Sequence, residues 1–373
     1  MRQSRRQTRE ATATNIPTIK DVAARAGVSP ATVSRVAAGV GIVSEELIKR
    51  VREAMHTLNY QPNRQARNLR HGTNRVIGVI VPDIQNPFFT SVIRAIEEVL
   101  QAADYMLVLG NCDDHPEREQ LYLDMLRAEG VAGIIFPPSN VQTQGYQQLL
   151  KMRIPLVTID RPPRGLEVDA VRVDNTGGAR TAVDHLIKLG HQRIGLILAP
   201  THIKTADERK RGYEQALIAA GISIDQGLIR ALDYQPSAEY AALEEHLGLS
   251  EPLAGRQAGG YAAMKSLLQL NPPPTAVFVT NNLMTLGALQ AIHELGVRIP
   301  SDIAVVGFDD MPWATALQPP LTVVAQPTYE VGRTAAQLLL DRLHEPHRPI
   351  QKVVLKTKLI VRASCGAEKQ NQR

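Results

Sequence analysis

The chain has 373 residues, 44% hydrophobic and 21% charged, which is globular composition spread over more than one ordinary core. Its net charge of +5 is uneven: residues 1–75 hold fourteen Lys or Arg against five Asp or Glu, and the remainder holds twenty-eight against thirty-two, so a basic head sits on a mildly acidic body. Two distant cysteines, Cys112 and Cys365, without metal spacing exclude a disulfide scaffold, and no run of about 18 apolar residues or secretory leader is found, so a cytoplasmic protein without membrane contact is expected.

Residues 1–17 read as a disordered basic tail. A folded helical domain is expected over 18–61. Thr18 caps a first helix, with Asp21 three positions on as the capping-box acid. Ser29 caps a second helix, and Pro30 takes the first helical position, where a missing N–H costs nothing. Gly27 between them suits a left-handed turn. Ala23, Gly27 and Val33 are spaced as in a helix-turn-helix: a small residue at the crossing, a glycine in the turn and a valine in the angle. A plain helical hairpin shares part of this pattern. A third helix begins at Ser44 and carries Leu47, Ile48, Val51, Met55 and Leu58 at helical spacing. Residues 62–73 then give a short polar helix with only Ala66 and Leu69 apolar. Leu69 suits either a wedge between base steps in a minor groove or a linker leucine packed on the next domain.

"TIKDVAARAGVSPATVSRV" and "LNYQPNRQARNLR" resemble the headpiece and hinge helix of LacI/GalR-type transcriptional regulators. The resemblance runs from about Thr18 to Cys365. It departs at Ala37 and Ala38, where the family usually has a bulky residue and asparagine. It implies DNA contacts from Thr18, Lys20, Arg25, Ser29, Pro30, Ala31, Thr32, Ser34 and Arg35, and from hinge residues Asn63, Arg64, Ala66, Arg67, Leu69 and Arg70. Pro30 and Ala31 offer only apolar contact, for example to a thymine methyl. Hydrogen-bonded readout falls to Thr32, Ser34 and above all Arg35, whose fork suits guanine. Lys20 and Arg25 suit phosphates. The resemblance also implies a pseudo-palindromic operator with an easily unstacked central step.

From 74 to 365 the pattern changes to apolar strands alternating with helices. "RVIGVIVPD", "YMLVLGNC", "VAGIIFPP" and "IPLVTID" form one series. "AVRVDN", "RIGLILA", "LIRALD", "AVFVTN" and "IAVVGFDD" form a second. Near-continuous apolar runs suit parallel strands covered on both faces. The expected fold is an all-α helix-turn-helix headpiece plus an α/β, parallel-sheet body in two lobes, with crossings near 172, 326 and 348 and a tail over 366–373. Ligands of such folds bind at the carboxyl ends of strands, here in the cleft between lobes.

At or beyond those ends stand Asn86, Phe88, Phe89, Asp160, Arg161, Arg209, Tyr234, Asn281, Asp309 and Gln326. Amide, carboxylate and guanidinium groups match vicinal hydroxyls, and aromatic faces cover sugar C–H faces. Singly, each fits a turn, a cap or the core. The body resembles the periplasmic-binding-protein type I fold, and this set is similar to the pocket of ribose-binding proteins and ribose repressors. Pro137, Tyr234 and Asn282 depart from the pattern. A stretch of about two dozen residues after Tyr234 reads as a surface insertion.

Catalytic, metal and cofactor signals are absent: "DNTGGAR" is neither GxGxxG nor a Walker loop, and His185 and His191 lack partners at metal spacing. The expected protein is a repressor of carbohydrate-utilisation genes, with DNA and a sugar as partners. A homodimer is expected, since no heptad tail follows the last strand. A sugar carrier, a purine- or phosphoprotein-responsive regulator and a sugar-processing enzyme are the alternatives.

Overall fold

The computed structural model describes residues 17–38, 41, 43–60, 74–138, 144–161, 165–201, 203–232 and 254–367. The chain forms two compact units, Met1–Asn74 and Arg75–Arg373.

The first unit contains α1 (Ile19–Ala26), α2 (Pro30–Ala38) and α3 (Glu45–Thr57). The backbone N–H and hydroxyl of Thr18 both donate to Asp21 Oδ2 at 2.7 Å, which holds the Asp21 carboxyl below its ordinary pKa. Gly27 ends α1 at φ 65°, ψ 40°, where a side chain is strained. A Cβ there would also lie 2.7 Å from Arg50 Nη2. That guanidinium donates to Ala26 O at 2.6 Å and ties α3 to the turn. Ser29 Oγ accepts from the Thr32 N–H at 3.2 Å and opens α2. Ser44 stands before α3 without a side-chain cap bond. Val22, Ala23, Ala26, Val33, Val51 and Ala54 form the core, so two of the three spacing residues, Ala23 and Val33, are buried in it.

The second unit holds two six-stranded sheets. The first contains β1 (Val76–Val81), β2 (Met106–Asn111), β3 (Gly133–Phe136), β4 (Leu156–Ile159), β5 (Asp169–Val173) and β11 (Lys352–Leu355), in the order β11-β5-β4-β3-β1-β2, all parallel. Helices α4 (Pro87–Ala102) and α11 (Thr328–His344) bury one face, and α5 (Pro116–Ala128) and α6 (Gln144–Lys151) bury the other. The second contains β6 (Ile194–Leu198), β7 (Ile229–Ala231), β8 (Ala276–Val279), β9 (Ala304–Phe308), β10 (Thr322–Ala325) and β12 (Lys358–Ile360), in the order β12-β10-β9-β8-β6-β7. Only β12 runs antiparallel. Its faces are covered by α7 (Asn175–Lys188) with α8 (Lys204–Ala219), and by α9 (Ala254–Leu268) with α10 (Asn282–Glu294).

Two placements differ from the sequence reading. "AVRVDN" is not the first strand of the second series: β5 pairs with β4 and β11 in the first sheet. The chain passes to the second sheet only afterwards, at Asp174, and α7 packs there. It returns after Gln326, and its last passage lies at Lys356–Thr357, later than 348. The reason is buried Asp169. It accepts from Arg342, from Arg348 and from the Gln351 N–H, all within 3.0 Å, and so binds residues 342–351 to the first sheet until β11 is laid down.

Candidate functional site

In the first unit, Thr18, Lys20, Arg25, Ser29, Pro30, Ala31 and Arg35 are exposed, and Thr32 and Ser34 are half-buried. The leading turn of α2 thus offers Pro30 and Ala31, with Arg35 one turn on. Asn63, Arg64, Ala66, Arg67, Leu69 and Arg70 lie outside the described residues, as does Tyr234.

In the second unit, nine of the expected residues line one cleft between the sheets: Asn86, Phe88, Phe89, Asp160, Arg161, Arg209, Asn281, Asp309 and Gln326. Asn86 caps α4, its Oδ1 accepting the Phe88 N–H at 3.0 Å and Asn282 Nδ2 at 2.9 Å across the cleft. Phe88 and Phe89 are buried edge to face, 4.9 Å between centroids. Asn281 caps α10 by accepting from the Leu283 and Met284 N–H groups. Asp160 and Asp309 have φ of 60° and 80°, a region in which Asp and Asn are enriched among non-glycine residues. Both turn their carboxylates into the cleft directly after a strand.

Arg209 lies in the second turn of α8 and not at its opening. From there Nε donates to Asn175 Oδ1 at 2.9 Å and Nη1 to Thr280 O at 2.5 Å. Its guanidinium stacks 3.6 Å above the Phe308 ring, an electrostatic attraction that strengthens when desolvated. Burial raises the Asp309 pKa, opposed by Arg209 and by Gln326, whose Nε2 donates to Asp309 Oδ1 at 2.5 Å. Burial works against the Arg161 charge, but Asp114 and Asp160 outweigh it, and its pKa stands above the ordinary value. The two contacts are 3.0 Å to Asp114 and 3.3 Å to Asp160.

Two cleft atoms are buried without a hydrogen bond among the described residues: the donor Arg161 Nε, whose approach to Asp160 at 3.3 Å is an ion pair only, and the acceptor Gln326 Oε1. Buried polar atoms are nearly always paired, so each orphan calls for an explanation. A ligand with groups that both donate and accept would satisfy the two together.

The sequence reading missed Arg256, Thr205 and Thr280, which also line the cleft. Thr280 carried a signal, since it ends the "AVFVT" run. Arg256 carried none: it falls at the end of the stretch read as a surface insertion, yet there the chain forms α9 and buries Gln257 and Ala258, while that stretch up to residue 253 lies outside the described residues. Asn282 is buried beside the site and bonds Asn86, whereas Asp310 is bound by Arg362 at 2.8 and 2.9 Å. Cys112 is buried, and His185 Nε2 lies 3.2 Å from Cys365 Sγ. Among the described residues no group of three or more His, Cys, Asp or Glu could hold a metal, and no helix is long and apolar enough to cross a membrane.

Residues 18–63 match the family of bacterial regulatory proteins, lacI family. Residues 74–255 match the periplasmic binding proteins and sugar binding domain of LacI family, and residues 183–365 match the periplasmic binding protein-like domain. The chain is 34% identical over 350 residues to the HTH-type transcriptional repressor CytR of Escherichia coli (strain K12), covering 94% of this chain and 96% of that one. It is also 34% identical over 345 residues to the ribose operon repressor of Halalkalibacterium halodurans, covering 92% and 96%. A solved structure of the lac repressor dimer bound to operator and the anti-inducer ONPF is similar at 27% identity and a TM-score of 0.76, over 94% of this chain and 99% of that one.

Proposed function

The chain belongs to the lacI family of bacterial regulatory proteins and is a DNA-binding transcriptional regulator; from that premise we propose a cytoplasmic repressor of carbohydrate-utilisation genes, released from a pseudo-palindromic operator by ribose or a related pentose or hexose. The carrying observation is the cleft, where nine residues converge and leave one buried donor and one buried acceptor without a hydrogen bond among the described residues. A sugar hydroxyl donates and accepts at once, and a polyol therefore meets both needs. Asp160, Asp309, Arg161 and Asn281 suit vicinal hydroxyls, and the Phe88–Phe89 pair suits the C–H face of a ring. The similarity to a ribose operon repressor supports the same ligand class.

Residues 18–61 form the reading domain of a homodimer, 62–73 the hinge and 74–365 the ligand and dimerisation domain. Two α2 helices enter adjacent major grooves about 34–36 Å apart, with Arg35, Thr32 and Ser34 at base edges and Lys20 and Arg25 at phosphates. Short polar helices are marginal alone, so the hinge folds with DNA, where Leu69 wedges a central base step. The sugar shifts the protein toward a weakly binding arrangement by the difference in its affinity for the two states. No step requires turnover of the ligand.

The test is thermal stabilisation of the purified protein by a panel of pentoses, hexoses, sugar acids and purine nucleosides. Binding to the folded state alone raises the melting temperature with ligand concentration. Stabilisation by one neutral sugar supports the reading. Stabilisation by a purine alone overturns the sugar assignment and keeps the regulator.

A further inference from the structure

We propose that Arg256 is a positioning residue of the cleft, a latch that holds the two sheets of the second unit in their bridged arrangement. The inference rests on reading the cleft as the ligand site. Arg256 stands in α9, on the second sheet. Its carboxylate partners stand after strands of the first sheet: Asp83 after β1 and Asp114 after β2. Nη1 lies 3.8 Å from Asp83 Oδ2, and Nη2 bonds Asp114 Oδ2 directly. The same guanidinium lines the cleft with the nine residues above.

The pair continues into the site. Asp114 also accepts from Arg161 Nη1 at 3.0 Å, and Arg161 Nε faces Asp160 at 3.3 Å. An alternating line, Arg256–Asp114–Arg161–Asp160, therefore runs from one sheet across to the ligand carboxylate of the other. Asp113 and Asp114 both have positive φ, 51° and 56°, a backbone cost that is uncommon outside glycine. It is spent where the loop turns a carboxylate toward the opposite sheet.

Arg256 cannot follow the first sheet by moving its helix. Gly260 and Gly287 let α9 and α10 touch backbone to backbone: a Cβ would lie 2.2 Å from Met284 O at Gly260 and 1.8 Å from Gln257 O at Gly287. Opening the cleft therefore breaks the ion pairs or swings the side chain. The three side chains are 17%, 14% and 28% exposed, so the pair is screened less than one on the open surface. The Asn282–Asn86 bond is a second, neutral bridge across the same gap.

Hydrogen exchange of the full chain without added sugar tests this. Arg256→Gln is expected to speed exchange in segments 83–89 and 280–284, on opposite sides of the cleft, by about three- to tenfold. Exchange within α11 stays unchanged. Arg256→Lys, which keeps the charge, restores most of the protection; a packing role alone would not be rescued by charge. Asp83→Asn, which severs only the longer link, gives a smaller increase in the same segments. Exchange like the wild type in both segments of Arg256→Gln overturns the latch. Calorimetry with D-ribose on the wild type tests the cleft reading separately, and its failure leaves the exchange result decisive for the latch.

Discussion

Asp160→Asn should weaken sugar binding while leaving the fold and the DNA-reading head intact. Asp160 has φ 60°, which Asn tolerates, and its side chain is only 9% exposed. Arg161 loses one partner but keeps Asp114 at 3.0 Å. The substitution therefore replaces a charged acceptor by a neutral one of the same shape. A hydrogen bond to a charged group contributes about 1.5–3 kcal/mol and a neutral one about 0.5–1.5 kcal/mol. The difference of about 1–1.5 kcal/mol corresponds to roughly 5- to 13-fold in Kd. Calorimetric titration of D-ribose into wild type and variant reads this directly, with operator affinity measured alongside as the control. A ribose Kd within twofold of wild type would refute a direct bond between Asp160 and the sugar.

Arg35→Ala should cost about 1–3 kcal/mol in operator binding and relax specificity at one base pair of each half-site; competition with single-base operator variants shows whether discrimination is lost there. Asp169→Ala leaves Arg342 and Arg348 without the fully buried carboxylate that binds both. Breaking such a group from one side costs about 3–5 kcal/mol, read as a lower urea midpoint at unchanged slope, whereas a shift near zero would show that the cluster relaxes freely. Burial, reinforced by Glu119 and Asp114, pushes the Cys112 thiol from 9.0 up to about 12. Its contribution to stability is thus full below pH 9 and is lost as the pH rises toward 12. Iodoacetamide at pH 8 should leave Cys112 unlabelled in the native protein, and rapid labelling would contradict the burial.

Local features were readable from the sequence because their causes are local. Thr18 and Asp21, Gly27, and Ser29 with Pro30 each specify a turn or cap within four residues, and all three stand where the spacing placed them. The cleft residues were readable because an apolar run ending in a polar residue marks a carboxyl end, and parallel sheets bring those ends together. What the sequence did not carry is pairing between distant segments. The assignment of β5 to the first sheet depends on its registers with β4 and β11. The late final passage depends on Asp169 binding residues 342–351. Arg256 meets, across the cleft, two carboxylates more than a hundred residues away in sequence.

The proposed function requires that ligand in the cleft and DNA on the head be coupled in one molecule. Fluorescence anisotropy of a labelled DNA fragment from upstream of the protein's own gene, titrated with protein at fixed salt and then with D-ribose and other pentoses and hexoses, tests it most directly. Tight binding that one of these sugars reverses is expected, with a midpoint above its calorimetric Kd, because operator and sugar weaken each other's binding. Tight binding that none of them moves would contradict it.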